Sequence, residues 1–240
     1  KSRIINDVHE AQYVNEKGEA LNMFYGYKTN GTYADDNEAA SVSGPYGLPM
    51  TQGDVRFVDA NTDNVIDEND KTVIGNPNPD LYGGFFTTLT IKNFEFSALF
   101  TYSLGNDIYN YVRFKAESMD QFYNQSTTIN DRWTSSNTGS DIPKAVYGDY
   151  RGNTVFSERW IEDGSYLRLK EVTISYIPPK FSKLYRDLTV FITASNLYTL
   201  TEYSGYDPEF LYQNNLYYMG LDFGKIPNTR SVIVGIKLAL

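Results

Sequence analysis

Residues 53–111, GDVRFVDANTDNVIDENDKTVIGNPNPDLYGGFFTTLTIKNFEFSALFTYSLGNDIYNY, join an acidic loop to a pair of alternating segments about ten residues long. In the second segment Phe94, Phe96, Ala98, Phe100 and Tyr102 fall on one side. Asn93, Glu95, Ser97, Thr101 and Ser103 fall on the other, and Leu99 is the one break. A period of two marks a β-strand with one apolar and one polar face. The preceding segment, Tyr82–Ile91, places Phe85, Thr87, Leu89 and Ile91 together, and Lys92-Asn93 turns one into the other. A strand tilted across a bilayer needs ~9–11 residues, whereas strands of soluble sandwiches run nearer ~5–6. The length leaves both architectures open.

Upstream, the acidic loop has the spacing of a twelve-residue calcium loop. Asp59, Asn61, Asp63, Val65 through its carbonyl, Asp67 and Asp70 occupy positions 1, 3, 5, 7, 9 and 12. Calcium is a hard cation that gathers oxygen ligands, and this spacing folds oxygen-bearing groups around one point. Two residues depart from the pattern: Asn64 stands where Gly makes the sharp turn, and Asp70 replaces the longer Glu. Asn tolerates a positive φ better than most residues. The same residues also read as an Asx-rich turn with solvated carboxylates. No pair of amphipathic helices flanks the loop.

Composition narrows the function. Tyr (21) and Phe (14) are abundant, as in membrane-interface belts, sugar-stacking surfaces or an ordinary β-rich core. A formal net charge of −9 with no basic run excludes a nucleic-acid surface. Absence of cysteine removes disulfides, zinc–thiolate sites and thiol catalysis. No apolar run is long enough for a membrane-spanning helix. KSRIINDVHE lacks the apolar core of a signal peptide and opens in mid-pattern, as expected of a piece of a longer protein. His9 is the lone histidine, and GxSxG, HExxH and phosphate-cradling glycine motifs are missing, so the chain is not expected to be an enzyme. Asp207 and Glu209, in GYDPEF, lie two apart around a proline and read as a turn or a solvated loop rather than a glycosidase pair.

Further strands are expected over residues 2–14, over Glu19–Thr29 after a hairpin turn at Asn15–Gly18, and over Asp107–Lys115. Others follow at Ser165–Ile177, Leu188–Ala194 and the C-terminal run Val232, Val234, Ile236, Leu238 and Leu240. In the first hairpin Leu21, Met23, Tyr25 and Tyr27 share a face. The apolar phase slips between Leu169 and Val172, which predicts a bulge. A short helix is expected near Ala116–Asn124. Connections alternate between short (15–18, 92–93, 178–186) and long (30–81, 116–164, 200–229). That alternation is the signature of an antiparallel transmembrane β-barrel, with turns on the periplasmic side and loops outside. The alternative is a secreted calcium-stabilised β-sandwich that binds glycans. Loop aromatics Trp133, Tyr203, Tyr206, Tyr212, Tyr217 and Tyr218 are candidates for stacking on substrate, with belt or packing roles as the alternative.

Several motifs resemble the C-terminal part of the SusC/RagA family of TonB-dependent outer-membrane transporters. They are FYGYKTNGTY (24–33), GDVRFVDANTDNVIDENDKTVIGNPNPDLYGG (53–84), YSLGNDIYN (102–110), RWTSSNTGSDIPKA (132–145), ERWIEDGSYLRLKEVTISY (158–176) and ASNLYTLTEYSGYDPE (194–209). Together they cover most of the chain in the family's order. The resemblance implies an all-β fold, roughly the last third of a 22-stranded barrel with long extracellular loops. It further implies outer-membrane localisation, a SusD-like lipoprotein partner, and import of glycans or peptides driven through TonB. The plug and TonB-interacting segment would lie outside this chain. Leu240 departs from the aromatic residue that usually ends such barrels.

Overall fold

A computed structural model describes residues 3–8, 10–179, 187–210 and 218–239. His9 and Leu240 lie outside them, as do Tyr212 and Tyr217. From the N-terminus the chain forms β1 (Arg3–Val8), β2 (Ala11–Glu16), β3 (Met23–Gly26), β4 (Thr29–Thr32), α1 (Asp36–Ala40), β5 (Val55–Phe57) and β6 (Thr72–Gly75). Next come β7 (Leu81–Ile91), β8 (Phe94–Leu104), β9 (Asp107–Asn110) and α2 (Tyr111–Glu117). The remainder holds β10 (Ile161–Asp163), β11 (Tyr166–Tyr176), β12 (Asp187–Thr201), β13 (Leu221–Asp222) and β14 (Ser231–Ala239). Two compact units result: unit 1 takes residues 1–78, 107–162 and 211–225, and unit 2 takes 79–106, 163–210 and 226–240.

Unit 2 is one antiparallel sheet in the order β14-β12-β11-β8-β7. A single row across it, Leu89–Phe96–Ile174–Ile192–Val234, is apolar throughout. Its members are 38–70% exposed, so among the described residues no second sheet covers this face, against the sandwich alternative. The next row, Thr88–Ser97–Thr173–Thr193–Ile233, points the other way and is mostly hydroxylic. In it the Thr173 and Thr193 hydroxyls lie 2.8 Å apart and share a hydrogen bond.

The expected bulge is present. Consecutive residues Phe100 and Leu99 of β8 pair with Leu169 and Glu171, so Lys170 is the extra residue of β11. On β12 the same two partners are Tyr198 and Ser195, and Asn196, at φ 53°, absorbs the irregularity. The insertion keeps Leu169 and Val172 on the apolar face, where an unbroken alternation would have separated them.

Loop lengths segregate by sheet edge. Ile91↔Phe94 is closed by Lys92, at φ 52°, and Asn93; this turn is tied to Ile177, whose carbonyl accepts from Asn93 Nδ2 at 2.7 Å. At the opposite edge lie Leu81, Leu104, Tyr166, Thr201 and Ser231, and every long excursion leaves from there.

Unit 1 is built differently. β1-β2-β3-β6 form a small sheet, and all four residues of β3 are buried because both faces are packed. Phe24 joins a cluster with Tyr13, Tyr109, Phe114, Phe156 and Trp160, while Met23 and Tyr25 join Val14 on the other side. A third cluster gathers Tyr27, Tyr33, Met50, Val55, Phe57 and Ile66.

Three expectations are corrected here. The single strand expected over residues 2–14 is split by a turn between Val8 and Ala11, where Glu10 adopts φ 66°; the turn expected at Asn15–Gly18 is present, with the Glu19 N–H donating to the Glu16 carbonyl (3.1 Å) and Gly18 at φ 97°, and leads from β2 to its antiparallel partner β3. The strand expected over Glu19–Thr29 begins only at Met23: residues 17–22 form a loop braced by Asn15 Nδ2 donating to Asn22 Oδ1 at 3.0 Å, leaving Leu21 exposed and Tyr27 in another cluster. The stretch expected as strand to Lys115 ends at Asn110, whose side chain accepts from the Arg113 N–H (2.9 Å) and starts α2, ahead of the predicted 116–124 helix. That hydrogen bond satisfies an orphan donor of the first turn and overrides the alternation of Tyr109 and Tyr111.

Candidate functional site

In unit 2 the polar face of β11 carries Arg168, only 3% exposed. Its guanidinium forks onto Asp207: Nη1 stands 3.3 Å from Oδ2, and Nη2 donates to Oδ1. Nη1 also lies 3.1 Å from Glu209 Oε2, and Lys170, moved onto this side by the bulge, reaches both Glu209 oxygens at 2.8 Å. Asp207 further accepts from the Glu209 N–H (2.9 Å), the Asn228 N–H (2.9 Å) and Asn228 Nδ2 (3.0 Å). Burial pushes the Asp207 carboxyl up, yet the hydrogen bonds from Arg168, Asn228 and Glu209 outweigh it and hold the group below the usual carboxylate range. Of the two readings of this stretch the turn holds, closed by the Glu209 N–H on Asp207, and the solvated loop does not: the Asp207 charge is desolvated and paired, which is tolerable only with this many donors.

A cavity of about 270 Å³ lies beside this cluster, lined by Arg168, Tyr198, Tyr206, Asp207, Asn228 and Arg230 among others. Tyr206, one of the candidate stacking residues, is 74% exposed at its rim. Tyr203 is not available for stacking: it is buried, and its ring packs so closely on Gly205 that a Cβ there would sit 2.4 Å from it.

In unit 1 the acidic loop folds on its own oxygens. Asp59 accepts from the N–H groups of Thr62 (2.6 Å), Asp63 (3.3 Å) and Asn64 (2.7 Å), Asn61 from Asp63, and Asp63 from Val65. Asn64 takes φ 64°, the left-handed turn that the spacing required of position 6. Asp67 caps a short 3-10 turn by accepting from Asn69 (2.7 Å), and buried Asp70 accepts from Asp67 and Ala60 (2.8 Å each). Ile66 pins the loop into the third cluster. Among the described residues no group of three or more acids or histidines converges as a metal cage. The reason is visible in the bonds: Asp67 and Asp70 are turned to caps, while Asp59 and Asp63 share their arc with Asn61.

Trp133 is half-buried and stacks on Gly53, at φ 81°, where a Cβ would lie 2.4 Å from the ring. It therefore packs the base of the acidic loop. Tyr218 packs against the cluster around Trp160. The sequence did not single out Arg168 or Asn228; a lone arginine at a lumenal position of a bilayer-length strand was the signal available.

No protein-family model matches the chain. TonB-dependent receptor P26 of Formosa agariphila is 34% identical over 232 residues, 92% of this chain and 23% of the relative. Receptor P3 of the same organism is 31% identical over 230 residues, 92% and 22% respectively. TonB-dependent receptor SusC of Bacteroides thetaiotaomicron is 26% identical over 230 residues. The chain thus spans less than a quarter of these curated relatives. A structure of the RagAB peptide importer in its open-open state superposes with a TM-score of 0.76 at 22% identity, covering 100% of this chain and 24% of that one. Another RagAB peptide transporter structure gives 0.75. The unit 2 sheet, with one uncovered apolar face, is accordingly a piece of a transmembrane barrel wall. Over most of its length this chain is thus similar in sequence to TonB-dependent receptors, SusC among them, and in fold to the RagAB structures.

Proposed function

We propose that this chain supplies the C-terminal barrel wall and extracellular loops of a nutrient importer that takes up glycan or peptide oligomers. The observation that carries the reading is the sheet itself: one face apolar and exposed from β7 to β14, the other hydroxylic, with all long excursions at one edge. Lipid suits the first face and a watery lumen the second. A SusD-like lipoprotein would cover the loop side, and energy would come through the TonB system acting on a plug outside this chain. Similarity to receptors named SusC and to the RagAB peptide importer supports the partnership and leaves glycan and peptide as the two substrate classes. Fractionating the host and identifying what co-purifies with this sequence tests the reading. Recovery in the outer membrane with a plug-bearing segment and a lipoprotein is expected; a free soluble species would overturn it.

A structural calcium in the acidic loop belongs to the same proposal. Asp59, Asn61, Asp63, the Val65 carbonyl, Asp67 and Asp70 would hold it. The left-handed Asn64 and the amide groups drawn in by Asp59 support this. Calcium at a hundredfold its Kd would stabilise the fold by ~2.7 kcal/mol. Thermal unfolding with calcium and with chelator, in wild type and Asp59→Ala, measures it.

A further inference from the structure

We infer that Arg168 and Asp207 are positioning residues for ligand capture: they hold the 203–209 loop, and Tyr206 with it, over the cavity beside β12. The inference rests on the import reading above. Asp207 receives five donors, two from Arg168, two from Asn228 and one from Glu209. A carboxylate has about four lone-pair sites, so Asp207 has no capacity left for a ligand. Arg168 is equally closed to solvent. Direct substrate contact is therefore not their task. What they do is join three stretches far apart in sequence, at residues 168, 207–209 and 228. Tyr206, one residue from the saturated carboxylate, has the opposite character: its ring is open and borders the cavity.

The coupling between the two is short and stiff. Pro208 restricts Asp207 to extended backbone, and the Asp207 side chain accepts from the N–H two residues on, so the turn carrying Tyr206 has few alternatives. Glu209 adds a second tie, to Lys170 and Arg168. A stacking residue fixed before the ligand arrives loses less freedom on binding, and affinity rises without a new contact. Buried ion pairs are weak sources of stability, and here the geometry assigns this one to a specific loop position.

The test uses the intact receptor with its lipoprotein, in variants Arg168→Gln, Asp207→Asn and Arg168→Lys, with Lys170→Gln as the control that loosens only the second tie. Barrel assembly is checked by heat-modifiable migration. Hydrogen exchange of the Glu209 and Asn228 amides is expected to quicken at least tenfold in the Gln and Asn variants, with β8 and β11 amides unchanged. Arg168→Lys, which keeps the charge and loses the fork, recovers less than half of that protection. Uptake is measured with two tagged probes, tryptic peptides of serum albumin and a malto-oligosaccharide ladder. For whichever probe wild type imports, half-saturation is expected to rise about tenfold while maximal uptake changes less than twofold. Unchanged exchange in an assembled variant overturns the inference, as does a fall in maximal uptake with half-saturation unmoved. If wild type imports neither probe, the choice of substrate classes fails, and the exchange result still decides the positioning role.

Discussion

Phe96, on the apolar face of β8, leaves 38% of its surface open, whereas Trp160, in the main cluster of unit 1, leaves none. Both are large and apolar, and they are handled by different rules. In unit 2 the apolar side chains face outward in straight rows, and strand pairing rather than a buried core holds the sheet together. In unit 1 the aromatics meet edge to face, as Phe114 and Trp160 do at a centroid distance of 5.1 Å, or Tyr109 and Phe156 at 4.9 Å. One region uses lipid as its solvent for apolar groups; the other makes its own interior from segments that look like loops.

The comparison is sharpest for Trp160→Ala. Removing a fully buried indole that packs on Phe114 and lies beneath the Arg159 guanidinium at 4.3 Å should cost ~3–5 kcal/mol. Chemical unfolding of the receptor should show early loss of the loop-built unit while the barrel stays intact. Loss of both together would mean that the two units share one stability.

Second in size is Phe96→Lys, which sets a charge on the apolar row between Leu89 and Ile174, two residues inside the turn end of β8, and should cost ~1–3 kcal/mol, less than at mid-bilayer. Ser97→Lys, one residue along and on the other face, should cost well under half of that. Urea titration of folding into lipid vesicles compares them, and equal penalties would sink the assignment of faces.

These faces were legible because a strand has a strict period, and Phe94 to Tyr102 repeat it without help from distant residues. The bulge was legible for the same reason, since Leu169 and Val172 cannot both be apolar on one side of an unbroken strand. Unit 1 was not. Phe24, Tyr109 and Trp160 come from three separate stretches of the chain, in segments of no common period, and only tertiary packing brings them together. The candidate site divides along the same line: the backbone turn at Asn64 follows from local spacing, while the Arg168–Asp207 pair spans 39 residues and needed the register of two strands and a loop to become visible. Tyr203 illustrates the reverse error, an aromatic that reads as a stacking residue and proves to be packing for Gly205.

Gly53→Ala probes the loop-built region by backbone rather than by volume. At φ 81°, with the Trp133 ring where the new methyl would go, the substitution meets both strain and overlap, for ~1–3 kcal/mol. Pairing it with Trp133→Ala should relieve the overlap and leave the φ penalty, and a double-mutant cycle on thermal unfolding separates them. Strict additivity would place the whole cost in the backbone.

The smallest effect is the most informative about the acidic loop. Asp67 caps the 3-10 turn at 68–70, accepting from the Asn69 N–H while its own N–H donates to Asp70. In chelator, Asp67→Ala should therefore cost about 1 kcal/mol, the usual value of a cap. In calcium the same substitution also removes one of the oxygen donors of the loop, and its cost should grow by the part of the binding energy that this donor supplies. Asp35→Ala, which removes the cap of α1 and no donor, should cost the same in both buffers. If Asp67→Ala behaves like Asp35→Ala, the loop is held by its Asx turns alone, and the similarity of its spacing to a calcium loop reflects the turn geometry that both kinds of loop share.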